Sequence, residues 1–348
     1  MAPSQHSNAK SAGAAHVDDL PMVSVLIPMR DEEAYIRACL RSVADQDYPK
    51  ELTEVLVVDG MSCDASRSIV EGFIKKHAYV KLLDNPHQTT THALNKGVRL
   101  SAGEVIVRVD AHSCIEPDYV RSVVEALKRT RADNVGGLMR PVGKSFLQKA
   151  IAFAMGSPFG VGTSRFHYSE KEMFVDTVYL GAYRREVFRK IGLYDEGAHY
   201  GEDDELNYRL VKSGGKILLS PAIKSHYFPR GSLPALWRQY FNYGRGKVRT
   251  IKKHGRPASW AHLAPSAFVL AILGSLALWN VAPFFKWVFF GVVISYLVAV
   301  AAATATIAGR QGWRFAPLMP LVFFTMHAGY AIGFLAGVLR LTATGKVW

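Results

Sequence analysis

The chain has 348 residues, 49% of them hydrophobic, and a formal net charge of +13. That length suggests two domains, or one domain with an appendage. Glu205 is the last acidic residue, so the cationic excess lies in the C-terminal part. A basic, acid-free tail fits nucleic acid or an anionic membrane surface. The apolar character of the same tail selects the membrane, and no recognition fold for nucleic acid accompanies it.

Residues 1–20, MAPSQHSNAKSAGAAHVDDL, have no apolar core and read as a disordered leader rather than a signal peptide. VSVLIP, Val23 to Pro28, is a short β-branched run expected to be a buried strand. DEEAYIRACLRSVADQ follows, with Ile36, Leu40 and Val43 at helical spacing and acids expected in the first turn. TEVLVVDG is a second strand. SCDASRSIVEGFIKK is a second helix, with Ser62 or Asp64 as its cap. VKLLDN, TTTHALNKGVRLSAG and EVIVRVD continue as strand, helix and strand. The alternation predicts an α/β fold with a doubly wound, mostly parallel sheet.

Ligands of such sheets bind beyond the carboxyl ends of the strands. Those ends carry Pro28 to Glu32, Asp59, and Asp110-Ala-His112. Asp110 and His112, two apart, read either as a polar strand terminus or as a metal-binding pair of carboxylate oxygen and imidazole nitrogen. A mixed pair of that kind favours Mn²⁺, with Mg²⁺ as the alternative. No G-x-x-x-x-G-K-S/T loop and no G-x-G-x-x-G after the first strand is present, which excludes a P-loop hydrolase and an ordinary dinucleotide enzyme. The three cysteines, Cys39, Cys63 and Cys114, show no pairing or knuckle spacing and fit reduced thiols.

GEDDE, Gly201 to Glu205, supplies carboxylates on a loop leading into a helix. Asp203 is expected as a general base, with Asp204 as its substitute and Glu202 beside it. The same acids would equally serve as favourable charges at a helix N-terminus. Leu233, Leu236, Trp237, Tyr240, Phe241, Val248 and Ile251 then fall near one helical face, with seven cations between Arg238 and Arg256. That pattern predicts an interfacial helix on an anionic leaflet. It also suits a lid in which Arg245 and Lys247 meet a diphosphate. Three apolar segments, Leu263–Phe285, Trp287–Ala308 and Phe315–Leu339, are each long enough to span a bilayer. His327, within the third, reads as a helix–helix hydrogen-bonding residue. Lys and Arg placement puts the N-terminal domain and the linker at Arg310 and Arg314 in the cytoplasm. The domains expected are therefore a leader (1–20), a catalytic domain (21–230), a basic amphipathic helix (231–258) and a membrane region of about three helices (261–341).

VSVLIPMRDEE, VVDGMSCD, LNKGVRLSAGEVIVRVDAH, LGAYRREVFRKIGLYDE and GEDDELNYRL, in this order, resemble the inverting family 2 glycosyltransferases of GT-A fold. The D-x-H ending and the C-terminal spans look most like the succinoglycan-type exopolysaccharide glucosyltransferases. The resemblance implies that Pro28, Arg30 and Glu32 line a uridine pocket and that Asp59 meets the uracil imide. Asp110 and His112 would hold the metal, with Asp110 also on the nucleotide. Gly181 and Ala182 would sit at the donor–acceptor junction, Asp203 would be the base, and Gln239 and Arg245 would approach the donor diphosphate. It implies a UDP-sugar donor, a lipid-linked glycan acceptor, exopolysaccharide assembly proteins as partners and a bacterial inner-membrane location. Polyprenyl phosphate as acceptor would make a base superfluous, so GEDDE favours a hydroxyl acceptor. A processive synthase and a non-catalytic sugar-nucleotide sensor are the other readings.

Overall fold

The computed structural model describes residues 19–257 and 259–347; most of the expected leader lies outside the described residues. The predicted alternation is present. Strand β1 (Val23–Met29) leads to helix α1 (Ile36–Ala44), β2 (Thr53–Asp59) to α2 (Ser66–Ile74), β3 (Val80–Asp84) to α3 (Thr90–Leu100), and then comes β4 (Val105–Arg108). These four strands are mutually parallel, in the order β3-β2-β1-β4. β1 and β2 are buried almost throughout, as continuous apolar runs require. Alternate side chains face opposite ways. Val25, Ile27, Val57 and Val107 pack with α1. Leu26, Leu56 and Ile106 pack with Leu94 and Val98 of α3.

Beyond β4 the sheet becomes mixed. β5 (Ser113–Ile115), α4 (Tyr119–Thr130), β6 (Asn134–Pro141), α5 (Phe146–Met155), α6 (Pro158–Val161), β7 (Met173–Val175), β8 (Tyr179–Arg184), α7 (Arg185–Ile191), α8 (Glu202–Lys212) and β9 (Ile217–Tyr227) follow. The order continues β4-β8-β6-β9-β5, with β7 also on β9. β8 runs antiparallel to β4 and β6, while β6 and β9 are parallel. The parallel character is thus a property of the first half. The sheet's direction of winding reverses between β1 and β4, which opens a crevice at their carboxyl ends. β5 departs from that point to pair with β9, so residues 109–112 form a turn over the crevice.

The C-terminal part differs from expectation in two respects. Helix α9 (Leu233–His254) is followed by α10 (Ala264–Ala277), α11 (Pro283–Gln311) and α12 (Met319–Thr344). The first apolar segment does not run on to Phe285. Pro283 in the first turn starts α11, because proline suits a helix start and not its interior. Three helices, Trp260–Ala277, Pro283–Gln311 and Met319–Thr344, are long and apolar enough to cross a membrane, but half of the third is buried within the protein. The apolar face of α9, expected to rest on lipid, receives α12 instead. A Cβ on Gly333 would stand 2.0 Å from the Phe241 carbonyl oxygen, and one on Gly244 would stand 2.1 Å from that of Tyr330. Gly329 and Gly337 leave less tight spaces, at 3.2 Å from the Trp237 carbonyl oxygen and 3.1 Å from a Val248 methyl. This four-residue spacing of small residues lets two helix backbones meet.

Candidate active site

A pocket of about 200 Å³ lies at the carboxyl ends of β1, β2 and β4. Pro28, Arg30, Glu32, Asp110 and His112 line it, as the sequence predicts. The loops after β1 and β2 are clamped together. Ser62 Oγ and Ser66 Oγ accept from the backbone N–H groups of Asp31 and Glu32, and Asp31 Oδ1 accepts from that of Cys63. The acids expected in the first turn of α1 belong to this loop; the first turn itself has none. Asp31, Met61 and Gln88, one after each of the first three strands, have φ of 54°, 60° and 59°. Non-glycine residues held left-handed mark sites that the surroundings over-determine.

Asp59 stands behind the pocket wall. It is fully buried, its Oδ1 accepts from the Ser62 hydroxyl at 2.6 Å, and its Oδ2 lies 3.2 Å from Arg67 Nη1. The loop after β3 and the start of α3 supply walls not among the candidates from sequence: Asn85, Gln88, Thr89 and Thr90. Polar residues before a helix carry no distinguishing sequence signal.

His112 is oriented by Glu32, whose Oε1 lies 2.9 Å from Nδ1. That contact makes Nδ1 the protonated nitrogen and leaves Nε2 as the free donor atom. Asp110 has Oδ1 bonded by Arg108 Nε at 2.8 Å, and the Tyr179 hydroxyl also hydrogen-bonds to this carboxylate. Burial pushes the Asp110 carboxyl up, but the charges of Arg108 and His112 outweigh it and hold the group below the usual range. One carboxylate oxygen and one imidazole nitrogen fit a divalent ion that takes its remaining ligands from phosphates and water. Among the described residues no group of three or more His, Cys, Asp or Glu side chains converges, so the chain by itself offers two donors and no closed cage.

Arg108 links this pair to the acidic turn. Its Nη2 lies 2.9 Å from Glu202 Oε1 while its Nε holds Asp110. The GEDDE acids are not on a loop. Glu202, Asp203, Asp204 and Glu205 form the first turn of α8, behind Gly201 at φ 73°. Their place as favourable charges at a helix N-terminus is therefore what the structure has. Asp204 is paired with Lys247 Nζ at 2.7 Å. Burial raises its pKa, and Lys247 more than reverses that. Glu205 is tied to Arg209, Lys253 and His254. Among the described residues Asp203 forms no salt bridge, although the Arg108 charge acts on it. Burial first, then the Glu202 charge, push its carboxyl up to about 7.

Asp203 opens onto a second cavity of about 1540 Å³ that also reaches Arg108, Asp110 and His112. Gln239 lines it, bonded to the Tyr227 and Tyr243 hydroxyls at 3.0 and 2.8 Å. Lys247 lines it as the partner of Asp204 and does not line the first pocket. Gly181 and Ala182 do not reach either cavity. They are buried in β8, where Ala182 pairs with Val107 and Val135. The part of this segment that lines the cavity is Asp176, Thr177 and Tyr179. Arg245 lines neither cavity and donates to the Val347 carbonyl at 2.9 Å, because its side of α9 faces the end of α12.

Residues 24–192 match the family described as glycosyl transferase family 2. The succinoglycan biosynthesis protein ExoA of Rhizobium meliloti is 31% identical over 91% of this chain and 96% of its own length. The dolichyl N-acetyl-alpha-D-glucosaminyl phosphate 3-beta-D-2,3-diacetamido-2,3-dideoxy-beta-D-glucuronosyltransferase of Methanococcus voltae is 27% identical over 93% and 99%. Among solved structures, a mannosyltransferase of Pyrobaculum calidifontis in complex with GDP-Man and Mn²⁺ superposes with a TM-score of 0.60 at 21% identity, covering 93% of this chain and 89% of that one. The latter likeness is one of fold.

Proposed function

The chain belongs to glycosyl transferase family 2, and from that premise we propose that it moves a sugar, glucose first among candidates, from a UDP-sugar to a hydroxyl of a lipid-linked glycan in exopolysaccharide assembly. The name of the R. meliloti relative supports the pathway, and that of the M. voltae relative supports a lipid-linked acceptor. The fold is GT-A with C-terminal helices, and three of these are candidate membrane spans. Its catalytic domain faces the cytoplasm of a bacterial inner membrane in this reading, since Arg310 and Arg314 flank one linker and only Lys286 the other.

The observation that carries the reading is the Asp110–Arg108–Glu202 bridge, which sets the nucleotide pocket and Asp203 on one cavity. Pro28, Arg30 and Glu32 bind the nucleotide. Asp110 and His112 hold Mn²⁺ or Mg²⁺, which supplies charge neutralisation for the departing diphosphate. Glu32 keeps His112 in the required tautomer. The acceptor oxygen gives its proton to Asp203 and attacks the anomeric carbon, and the bonding pair to the diphosphate oxygen leaves with the nucleotide. A carboxyl near 7 suits a base at neutral pH. One displacement with no covalent nucleophile inverts the anomeric centre. The Lys247 salt bridge keeps Asp204 from acting as a second base.

Purified protein is assayed for transfer from labelled UDP-glucose into a lipid extract with Mn²⁺, wild type beside Asp203→Asn. The expected result is a labelled oligosaccharide lipid from the wild type, and a variant that binds UDP but does not transfer. Normal transfer by Asp203→Asn would remove the base from this site and favour a phosphate acceptor.

A further inference from the structure

The second cavity exceeds an ordinary small-ligand site of about 300–1,000 Å³, at about 1540 Å³. A sugar hydroxyl needs only its polar side, where Asp203 and Arg230 stand. The cavity lining also holds an apolar cluster built by parts far apart in sequence, in which the Phe268 and Phe159 rings stand 4.8 and 6.2 Å from that of Tyr296. Phe159 and Val161 come from α6, Ala264 and Phe268 from α10, and Tyr296 from α11.

These parts are fixed to one another. His327 Nε2 donates to the Phe159 carbonyl at 2.8 Å, and its Nδ1 meets the Tyr296 hydroxyl at 3.1 Å. The Phe159 ring stands edge-on to Phe323, with centroids 4.9 Å apart. The histidine therefore seats a helix of the catalytic domain on the helices apolar enough to span a bilayer. His327, Phe159 and Tyr296 all line the cavity.

We propose that the apolar half of this cavity holds the hydrocarbon chain of the acceptor, of polyprenyl class, with the chain passing between α6 and the α10–α11 pair so that the first sugars reach Asp203. This rests on the lipid-linked acceptor reading above. The polar and apolar halves match an amphipathic molecule, and the apolar half lies against the two helices that are least buried by protein. Burial of successive methylenes then makes acceptor affinity depend on chain length.

The test uses the full-length protein in one detergent and the same glycan on three carriers: a full-length polyprenyl diphosphate, a carrier of two isoprene units, and none. Val161→Trp on α6 and Ala264→Trp on α10 add bulk to the apolar lining and leave Asp203, Asp110 and His112 unaltered. In the wild type, shortening the chain is expected to raise acceptor KM about tenfold or more. Each Trp variant is expected to raise KM for the long-chain acceptor to a similar extent. KM for the UDP-sugar and activity on the two-unit carrier stay as in the wild type, which shows that the fold is intact. Equal KM for long and short lipid carriers, or Trp effects that ignore chain length, overturns the chain site and leaves lipid-linked glycan transfer standing. Preference for the carrier-free glycan overturns both.

Discussion

Replacing Arg108 by methionine leaves two buried carboxylates facing each other without their shared cation. In the folded protein Arg108, Asp110 and Glu202 expose only 11%, 13% and 11% of their side chains, at contacts of 2.8 and 2.9 Å. Removing one partner from a buried ionic group costs about 3–5 kcal/mol, chiefly as the penalty of the charges left behind. For a catalytic domain of about 200 residues that lowers Tm by about 10 °C. The sign with pH follows from Asp110. Its folded pKa is depressed by Arg108 and His112, so the stability it contributes is present above its unfolded pKa and lost as pH falls through the folded one. The gap between wild type and Arg108→Met is therefore full at neutral pH and shrinks in acid. Arg108→Lys recovers part of it, because one ammonium cannot fork to two carboxylates. The assay is thermal unfolding in detergent from neutral pH down to about pH 2, below the ordinary Asp pKa of about 3.9. A Tm unchanged at neutral pH, or a gap that widens in acid, refutes the reasoning.

Three further outcomes are expected. The kcat/KM of sugar transfer should rise with pH up to about 7 and then level, as Asp203 loses its proton; Lys247→Met, which removes a nearby cation, should move that limb to higher pH, and a profile flat from pH 5 to 8 would count against Asp203. Glu32→Ala should weaken the apparent Mn²⁺ affinity in a metal titration of transfer by about 10–100-fold, the usual effect of losing a histidine's orienting carboxylate. Gly333→Ala places a methyl 2.0 Å from the Phe241 carbonyl oxygen and should destabilise the α9–α12 pair by about 1–3 kcal/mol, seen as faster proteolysis within residues 245–253. Gly274→Ala, with nothing within 4 Å of its Cβ position, is the control.

The sequence alone determined the elements whose signals are local. β1, β2 and β4 were legible because strands buried on both faces are continuous apolar runs. The polar residues at their ends, Asp110 and His112 among them, were legible because a parallel sheet gathers ligands there, and the GEDDE acids because four carboxylates cluster at a helix start. What the sequence could not supply was partnership between distant residues. Arg108 looks like a stray cation in a strand until β4 and the start of α8 are brought together. Glu32 looks like a helix-start acid until its carboxylate meets His112, 80 residues on. Lys247 reads equally as a diphosphate ligand until Asp204 claims it. The face of α9 shows the amphipathic stripe of a lipid-resting helix, and hydrophobic periodicity cannot tell lipid from a glycine-lined helix. Tertiary structure decided each of these cases, because charge pairing and close packing depend on which surfaces are desolvated together, and that is a property of the folded chain rather than of any one segment.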